Sequence, residues 1–252
     1  MAWAHSERSF LDRKEWVEID SSTSQEVKPT FEAFVDLCCP IPGLKADVKS
    51  MCIARDPIPN CEQYLSDLSK VRSRVTRQLG AIDFWYSQWR WELGHQAIFT
   101  SEDVETYRED LFGSPLRFAD LAQAKMYVWY HISRHMIATI LIDLLEILQR
   151  VHGTSIIEDA HNNPHSLLRD AANSICRCSP YMLDASAHGF SGALFFRHVF
   201  MGILPTYAPE EEESMWIVEM LQRLPGQYGL DGCFSHVDQR RLTRLSRSAS
   251  IE

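Results

Sequence analysis

The feature that most constrains the fold is one uninterrupted stretch from Ala124 to Val151, which contains neither proline nor glycine. The stretch is too long for a β-strand and therefore predicts a helix. From Met136 to Leu148 its side chains are apolar around nearly the whole circumference, except for Asp143 and Glu146. A helix that is apolar on all sides has to be covered by other helices. We therefore expect a multi-helix protein with this helix at its centre.

Composition narrows the class of protein. The chain has 252 residues, of which 45% are apolar, so it can bury a sizeable core. Its formal charge of -9 disfavours direct contact with DNA, because phosphate binding needs clustered lysine and arginine. The seven cysteines are scattered, which indicates reduced intracellular thiols. The opening residues 1–16 lack the apolar core of a secretory signal, so none is expected there.

A membrane span is not expected either. A spanning helix needs about 20 largely uncharged residues. The best candidate, Met136 to Leu148, is shorter and contains two acids. It predicts a buried helix of a water-soluble protein.

Several further segments predict helices, because their apolar residues recur at intervals of three and four. We expect the prolines that follow them, Pro40, Pro180, Pro205 and Pro225, to end them. The predicted helices are Phe31–Cys39 (which Thr30 can cap), Leu44 to about Arg55, Asn60 or Cys61 to about Trp91, Ser166–Cys176, Gly189–Leu204 and Thr206–Leu224.

The remaining segments complete the predicted organisation. Gly94 to Arg117 predicts either a short helix with loops or a mobile connection. No segment alternates with period two over a useful length, so the predicted fold class is all-α, an irregular multi-helix bundle around a long central helix (about 124–151). We expect one domain over residues 1–238, followed by a basic Ser/Arg-rich tail, 239–252, that is disordered.

Two histidines of the central helix are the weak candidates for catalysis or metal binding. His131 and His135 lie one turn apart, a spacing that lets two imidazoles reach one metal ion. No third ligand is apparent, and Arg134 places a positive charge between them. We therefore expect hydrogen-bonded interior histidines, with no metal and no cofactor.

Other reactive residues give weaker patterns. Ser191 stands in GFSGA, where a nucleophile elbow would need a preceding strand and a glycine in place of Ala193. His188 and His198 are near it in sequence but have no assignable acid. His161 and His165 belong to a predicted turn, HNNPH. Cys176 and Cys178 do not form a CxxC pair, so their spacing gives no support to redox or zinc chemistry.

Aromatic residues crowd two segments of the chain. Phe84, Trp85, Tyr86, Trp89 and Trp91 end the long predicted helix that runs to about Trp91, and bulky rings of this kind either build a core layer or line a cavity. Burial in the core is the simpler interpretation. If the rings line a cavity, the candidate ligand-binding residues are Trp85, Trp89, Tyr127, Trp129 and Tyr130.

The order of several local motifs resembles the large helical regulatory domain of fungal zinc-cluster transcription factors. The resemblance runs from about Phe10 to Cys233. The motifs, in order, are FLDRKEWVEI, PIPGL, YVWYHISRHMIATILI, AANSICRCSPYML, GFSGALFFRHVFMGIL and EEEESMWIVEMLQRL.

The resemblance implies a regulatory body without its own DNA reader. Family members usually begin with six cysteines that hold two zinc ions, and the cysteines of this chain do not match those positions. It transfers no catalytic residue. It implies a nuclear protein, with the cytoplasm as the alternative, that works through a protein partner or as a homodimer and leaves room for a small-molecule effector.

Three functions stay open at this point. The first is a transcription-regulator-like protein of a fungal gene cluster, such as one for secondary metabolism. The second is a small-molecule-binding protein or biosynthetic enzyme, of cyclase or isomerase type, that uses the aromatic interior of the same helical body. The third is a scaffold for dimerisation. A fold alone does not decide among them.

Overall fold

The structure is a computed structural model that describes residues 30–53, 61–93, 98–100, 107–152, 163–184 and 190–228. Over these ranges the protein is an all-α, multi-helix fold, which confirms the predicted class. The described residues divide into two compact units. The first unit contains the residues before 94 together with Ser133–Leu168, and the second contains His95–Ile132 and the residues from Arg169 onward. The predicted tail, 239–252, lies outside the described residues, and one domain over residues 1–238 stays a prediction.

Three helices, α1 (Thr30–Cys38), α2 (Pro40–Ile53) and α3 (Cys61–Leu93), pack together in the first unit. The prediction that Pro40 only ends a helix was wrong in one respect, because Pro40 also begins the next one. The first residues of a helix have no intrahelical acceptor for their N–H groups, so a proline there loses no hydrogen bond. Pro42 lies in the same first turn.

Helix α3 has one buried and one exposed face. Its buried residues recur at helical spacing and include Leu68, Val75, Ile82 and Trp89. Lys70, Arg72, Arg74 and Arg77 are all exposed, as predicted for a solvated face. Arg74 pairs with Asp47 of α2 at 3.0 Å.

The predicted central helix is α5, Leu121–His152. The Asp120 carboxylate accepts a hydrogen bond from the Gln123 N–H at 2.8 Å and so caps its first turn. Within the first unit, the side chains of Ser133 and Cys38 are hydrogen-bonded at 3.2 Å, and both are buried. The apolar residues that this part of α5 buries are Ile137, Ala138, Ile140, Leu144 and Ile147.

The connection before α5 contains more order than the sequence indicated. Strands β1 (Ile98–Thr100) and β2 (Leu116–Phe118) form an antiparallel pair in which Phe99 lies opposite Arg117. A short helix, α4 (Glu109–Phe112), lies between them. Strands of three residues are too short to show a period of two, which is why the pattern did not reveal them.

The next helices are α6 (Pro164–Arg177), α7 (Ser179–Met182), α8 (Phe190–Ile203) and α9 (Glu212–Tyr228). The second unit contains α7, α8, α9 and the part of α6 from Arg169 onward. A 3₁₀ turn, Leu204–Thr206, directly follows α8 and begins the connection to α9. Here too prolines begin elements: Pro164 is the first residue of α6, and Pro180 lies in the first turn of α7. His165 therefore belongs to a helix, not to a turn as predicted, while His161 lies outside the described residues.

The last predicted helix begins later and ends later than expected. Pro209 lies in the turn before α9, where Glu211 accepts a hydrogen bond from the Ala208 N–H. At the other end α9 continues through Pro225 and Gly226 to Tyr228. Proline has no N–H group and so removes one internal hydrogen bond from a helix, but α9 continues beyond Pro225 without that bond.

Aromatic rings make up much of the core of the second unit. The Trp216 ring packs on the rings of Phe112, at 4.9 Å between centroids, and Phe200, at 5.9 Å. The Phe200 ring packs in turn on that of Phe196 at 5.0 Å. This run of rings joins α4, α8 and α9.

Gly192 is the point of closest backbone approach between α8 and α7. A Cβ atom at this position would lie 1.8 Å from the carbonyl oxygen of Met182. Because that neighbour is backbone, it cannot rotate away. Gly202, in the same helix, would meet no atom within 4 Å.

Alanine substitution should therefore have opposite effects at these two glycines. Gly192→Ala forces α8 away from α7 and is expected to lower the free energy of unfolding by about 1–3 kcal/mol, the usual cost of overpacking. Gly202→Ala adds helix propensity without a clash and is expected to raise it by up to about 1 kcal/mol. Chemical unfolding followed by circular dichroism measures both, and equal effects would contradict the close approach.

Candidate functional site

Trp85 and Trp89 pack as a core layer of the first unit. Their rings stack at 5.9 Å between centroids with an interplanar angle of 8°, and Phe34 of α1 covers Trp85 at 4.4 Å. Both tryptophans are less than a tenth exposed. The space beside these rings is thus occupied by other rings, as expected of a core layer.

The aromatic candidates of α5 belong to the second unit. The ring of Tyr127 packs on Phe118 at 5.4 Å, and the His131 ring lies 4.4 Å from Tyr127 and 4.8 Å from Tyr130. Tyr127, Tyr130 and His131 are buried. Trp129 is half-buried and packs on Phe195 of α8 at 5.8 Å. These contacts stabilise the helix in its unit.

The boundary between the two units passes between the two candidate histidines. His131 falls in the second unit and His135 in the first. The candidate tryptophans Trp85 and Trp89 are likewise separated from the tyrosines by unit. Neither unit by itself therefore gathers the full set of predicted site residues. In the ranges that the structure describes, no three His, Cys, Asp or Glu side chains converge on a possible metal position.

His135 begins a polar track along the otherwise apolar half of α5. Thr139 and Asp143 follow it at intervals of four residues, and all three are half-buried. Burial lowers the pKa of His135 to about 4, and the positive charge of Lys45 on α2 acts in the same direction. His135 is therefore neutral at physiological pH.

Asp143 lies at the other end of this track. Burial raises the pKa of its carboxyl group, the negative charge of Glu146 adds to the effect, and Lys45 opposes it. The backbone positions of His135 and Asp143 are two helical turns apart, about 12 Å along the axis. A general acid and base that share a proton must lie about 3 Å apart. The track is thus a polar surface of the helix without a proton-sharing pair of His135 and Asp143.

Ser191 is exposed in the first turn of α8, as expected of an ordinary helix residue. The Nδ1 atom of His198 lies 3.2 Å from the Leu194 carbonyl oxygen, one turn back in the same helix. That contact holds the imidazole against its own helix. His188 lies outside the described residues.

Two exposed surfaces were not singled out from the sequence. The first, here called the α1 acidic face, consists of Phe31, Glu32, Val35 and Asp36, all exposed. The second, the α3 aromatic face, contains Phe84 and Trp91, which are 67% and 85% exposed. Helical spacing could have found the second, because Trp91 is two residues beyond buried Trp89 and so points to the opposite side. It could not have found the first, because Phe31 and Val35 share a side of α1 with Phe34 and Cys38, which are buried.

None of the helices in the described ranges is long and apolar enough to cross a bilayer. The longest, α3, carries charged residues along its length, and α5 contains Asp143 and Glu146 in its most apolar half. For the described helices this agrees with the prediction of no membrane span.

The pKa of His135 makes stability depend on pH. Because this pKa falls from its ordinary value of 6.5 to about 4 on folding, the unfolded chain binds the proton more readily between these two values. Stability is then full above about pH 6.5 and is lost as the pH falls toward 4. Protonation of His135 is expected to lower the free energy of unfolding by on the order of 3 kcal/mol.

His135→Gln should remove this part of the pH dependence. Unfolding free energies from urea titrations between pH 7 and pH 4 should fall less steeply for this variant than for the original chain. His165→Gln, at an exposed position, is the matched control and should keep the original slope. Parallel curves for all three proteins would show that the pKa of His135 does not change on folding, which would contradict its burial as a neutral imidazole.

Known proteins give no independent guide to these surfaces. No family model, no curated protein and no solved structure matches the chain. The resemblance to zinc-cluster regulatory domains therefore rests on the motifs of the sequence alone.

Proposed function

We propose that the chain is a transcription-regulator-like protein that acts by binding a protein partner, as the resemblance to the regulatory domain of fungal zinc-cluster factors implies. The observation that carries this proposal is the α1 acidic face. Phe31 is 53% exposed and Val35 39% exposed, although both are large and apolar. Large apolar side chains grouped on a surface are typical of a protein-binding site.

Charge identifies the kind of partner that fits the α1 acidic face. Glu32 and Asp36 lie one turn apart along one side of the two apolar side chains, while α1 contains no lysine or arginine. The matching surface is an apolar groove with a basic rim on a regulatory protein. The net charge of -9 also favours a basic protein surface over nucleic acid.

The packing of the aromatic candidates supports a binding role over catalysis. Trp85, Trp89, Tyr127 and Tyr130 are buried against other rings. The proposed partner surface lies instead on exposed residues. The nucleus is the compartment that this proposal implies, and the regulated genes would form a biosynthetic cluster.

Deletion of the gene tests the regulatory role directly. Transcripts of the regulated cluster should fall several-fold, and both the final metabolite and its precursors should disappear together. Unchanged transcripts with accumulation of one biosynthetic intermediate would reject the proposal and indicate an enzyme. RNA sequencing and metabolite profiling of the same cultures provide the two measurements.

A double variant tests the proposed surface. Phe31→Ser with Val35→Ser removes the apolar contact from an exposed face, so the protein should keep its melting temperature while cluster transcripts fall to near the level of the deletion strain. Met215→Ser, an exposed apolar position of α9, is the matched control and should leave transcripts unchanged. Normal transcripts in the double variant would exclude the α1 acidic face as the partner site.

A further inference from the structure

The exposed side of α3 carries a second apolar surface, independent of the α1 acidic face. Phe84 and Trp91 project from the side of α3 opposite to Ile82 and Trp89, which are buried. They are seven residues apart, so their side chains lie on one line along the helix. Two large rings grouped on one line of a helix, 67% and 85% exposed, form an apolar patch of the kind that binds another molecule.

Small residues alternate with the two rings along this line. Gly80 lies one turn before Phe84, and Ser87 lies between Phe84 and Trp91. All four residues are exposed, and a Cβ atom at Gly80 would meet nothing within 4 Å. The intervals of four, three and four residues are those of a heptad seam, in which bulky side chains of one helix enter gaps on its neighbour.

The order of large and small residues makes the line complementary to itself. If a second α3 runs antiparallel, with its Ser87 opposite Phe84, then a step of seven residues along each helix places Trp91 opposite Gly80. The two-fold axis repeats both contacts. A parallel pair would instead set Trp91 against Trp91 and Gly80 against Gly80. An interface that uses the same surface twice is the usual geometry of a two-fold dimer.

The flanking charges agree with the antiparallel arrangement. Asp83 and Arg90 lie on the same flank of the line, seven residues apart. In an antiparallel seam such flanks face each other, so the Asp83 carboxylate of each copy would lie near the Arg90 guanidinium of the other. Asp83 also pairs with Arg134 within its own chain, at 3.3 Å. The carboxylate would then bridge two guanidinium groups.

The area available suits a dimer that dissociates on dilution. Aromatic side chains bury about 150–250 Å² each, so the four exposed rings of a pair would remove roughly 700 Å² from water. Flanking side chains bring the total toward about 1,200 Å², the lower limit of stable interfaces. Its affinity should then lie in the micromolar range, where concentration controls assembly.

We propose that two copies of this chain associate through an antiparallel contact of their α3 aromatic faces, with Trp91 of each copy packed over Gly80 of the other. This inference does not depend on the regulatory role proposed above, because it uses a different surface and a different partner.

Sedimentation velocity of the full chain from about 1 to 100 μM tests the association. The original protein should shift from monomer to dimer over this range. Trp91→Asp and Gly80→Lys should each stay monomeric at concentrations at least tenfold higher, with unchanged circular dichroism because both positions are exposed. Met215→Asp, at an exposed position of the second unit, is the control and should dimerise like the original chain.

Mixing the two monomeric variants tests the register. A heterodimer has one original contact of Trp91 with Gly80 and one new contact between the introduced carboxylate and the introduced ammonium group, so the mixture should regain dimers that neither variant forms alone. A mixture that stays monomeric would overturn the antiparallel register. An original chain that stays monomeric throughout, or a Met215→Asp variant that dissociates equally, would overturn the use of this surface.

Discussion

The structure depends on one continuous helix, α5, because both compact units take part of their core from it. Its first third supplies Ala124, Val128 and His131 to the second unit, and the remainder supplies Ile140 and Leu144 to the first. An isolated helix gains little from its own hydrogen bonds in water, so its stability comes from the side chains that it buries. The apolar circumference that first identified this helix, Met136 to Leu148, lies wholly in the part that belongs to the first unit.

The helices could be predicted from the sequence because each buries a long periodic stripe, whereas their ends depended on chemistry that a pattern does not show. Proline is unfavourable inside a helix but harmless in its first turn. The prediction treated Pro40 and Pro180 only as residues that end a helix. In the structure each lies in the first turn of the next helix. Gly192 gave no signal at all, because the need for a missing side chain arises from the approach of Met182, ten residues away.

The candidate site shows a different limit of sequence reasoning. The sequence showed the aromatic cluster from Phe84 to Trp91, but the prediction treated all of its rings alike. Their helical positions separate them: Trp85 and Trp89 fill the core, while Phe84 and Trp91 face outward. Stricter use of the 3.6-residue period would have separated core from surface. The division of His131 and His135 between two units could not have been anticipated, since it depends on how distant segments pack.

Burial of the cysteines has a consequence for the chemical reactivity of the protein. Burial raises the pKa of the Cys38 thiol to about 12 and those of Cys176 and Cys178 well above their ordinary range, so these thiols are protonated and shielded from reagents. Alkylation requires the exposed thiolate, and it can therefore occur at these positions only after local opening. Cys38 belongs to the first unit and Cys176 and Cys178 to the second. Each unit thus contains at least one buried thiol, and the rate of thiol modification at each position reports how often that part of the protein opens.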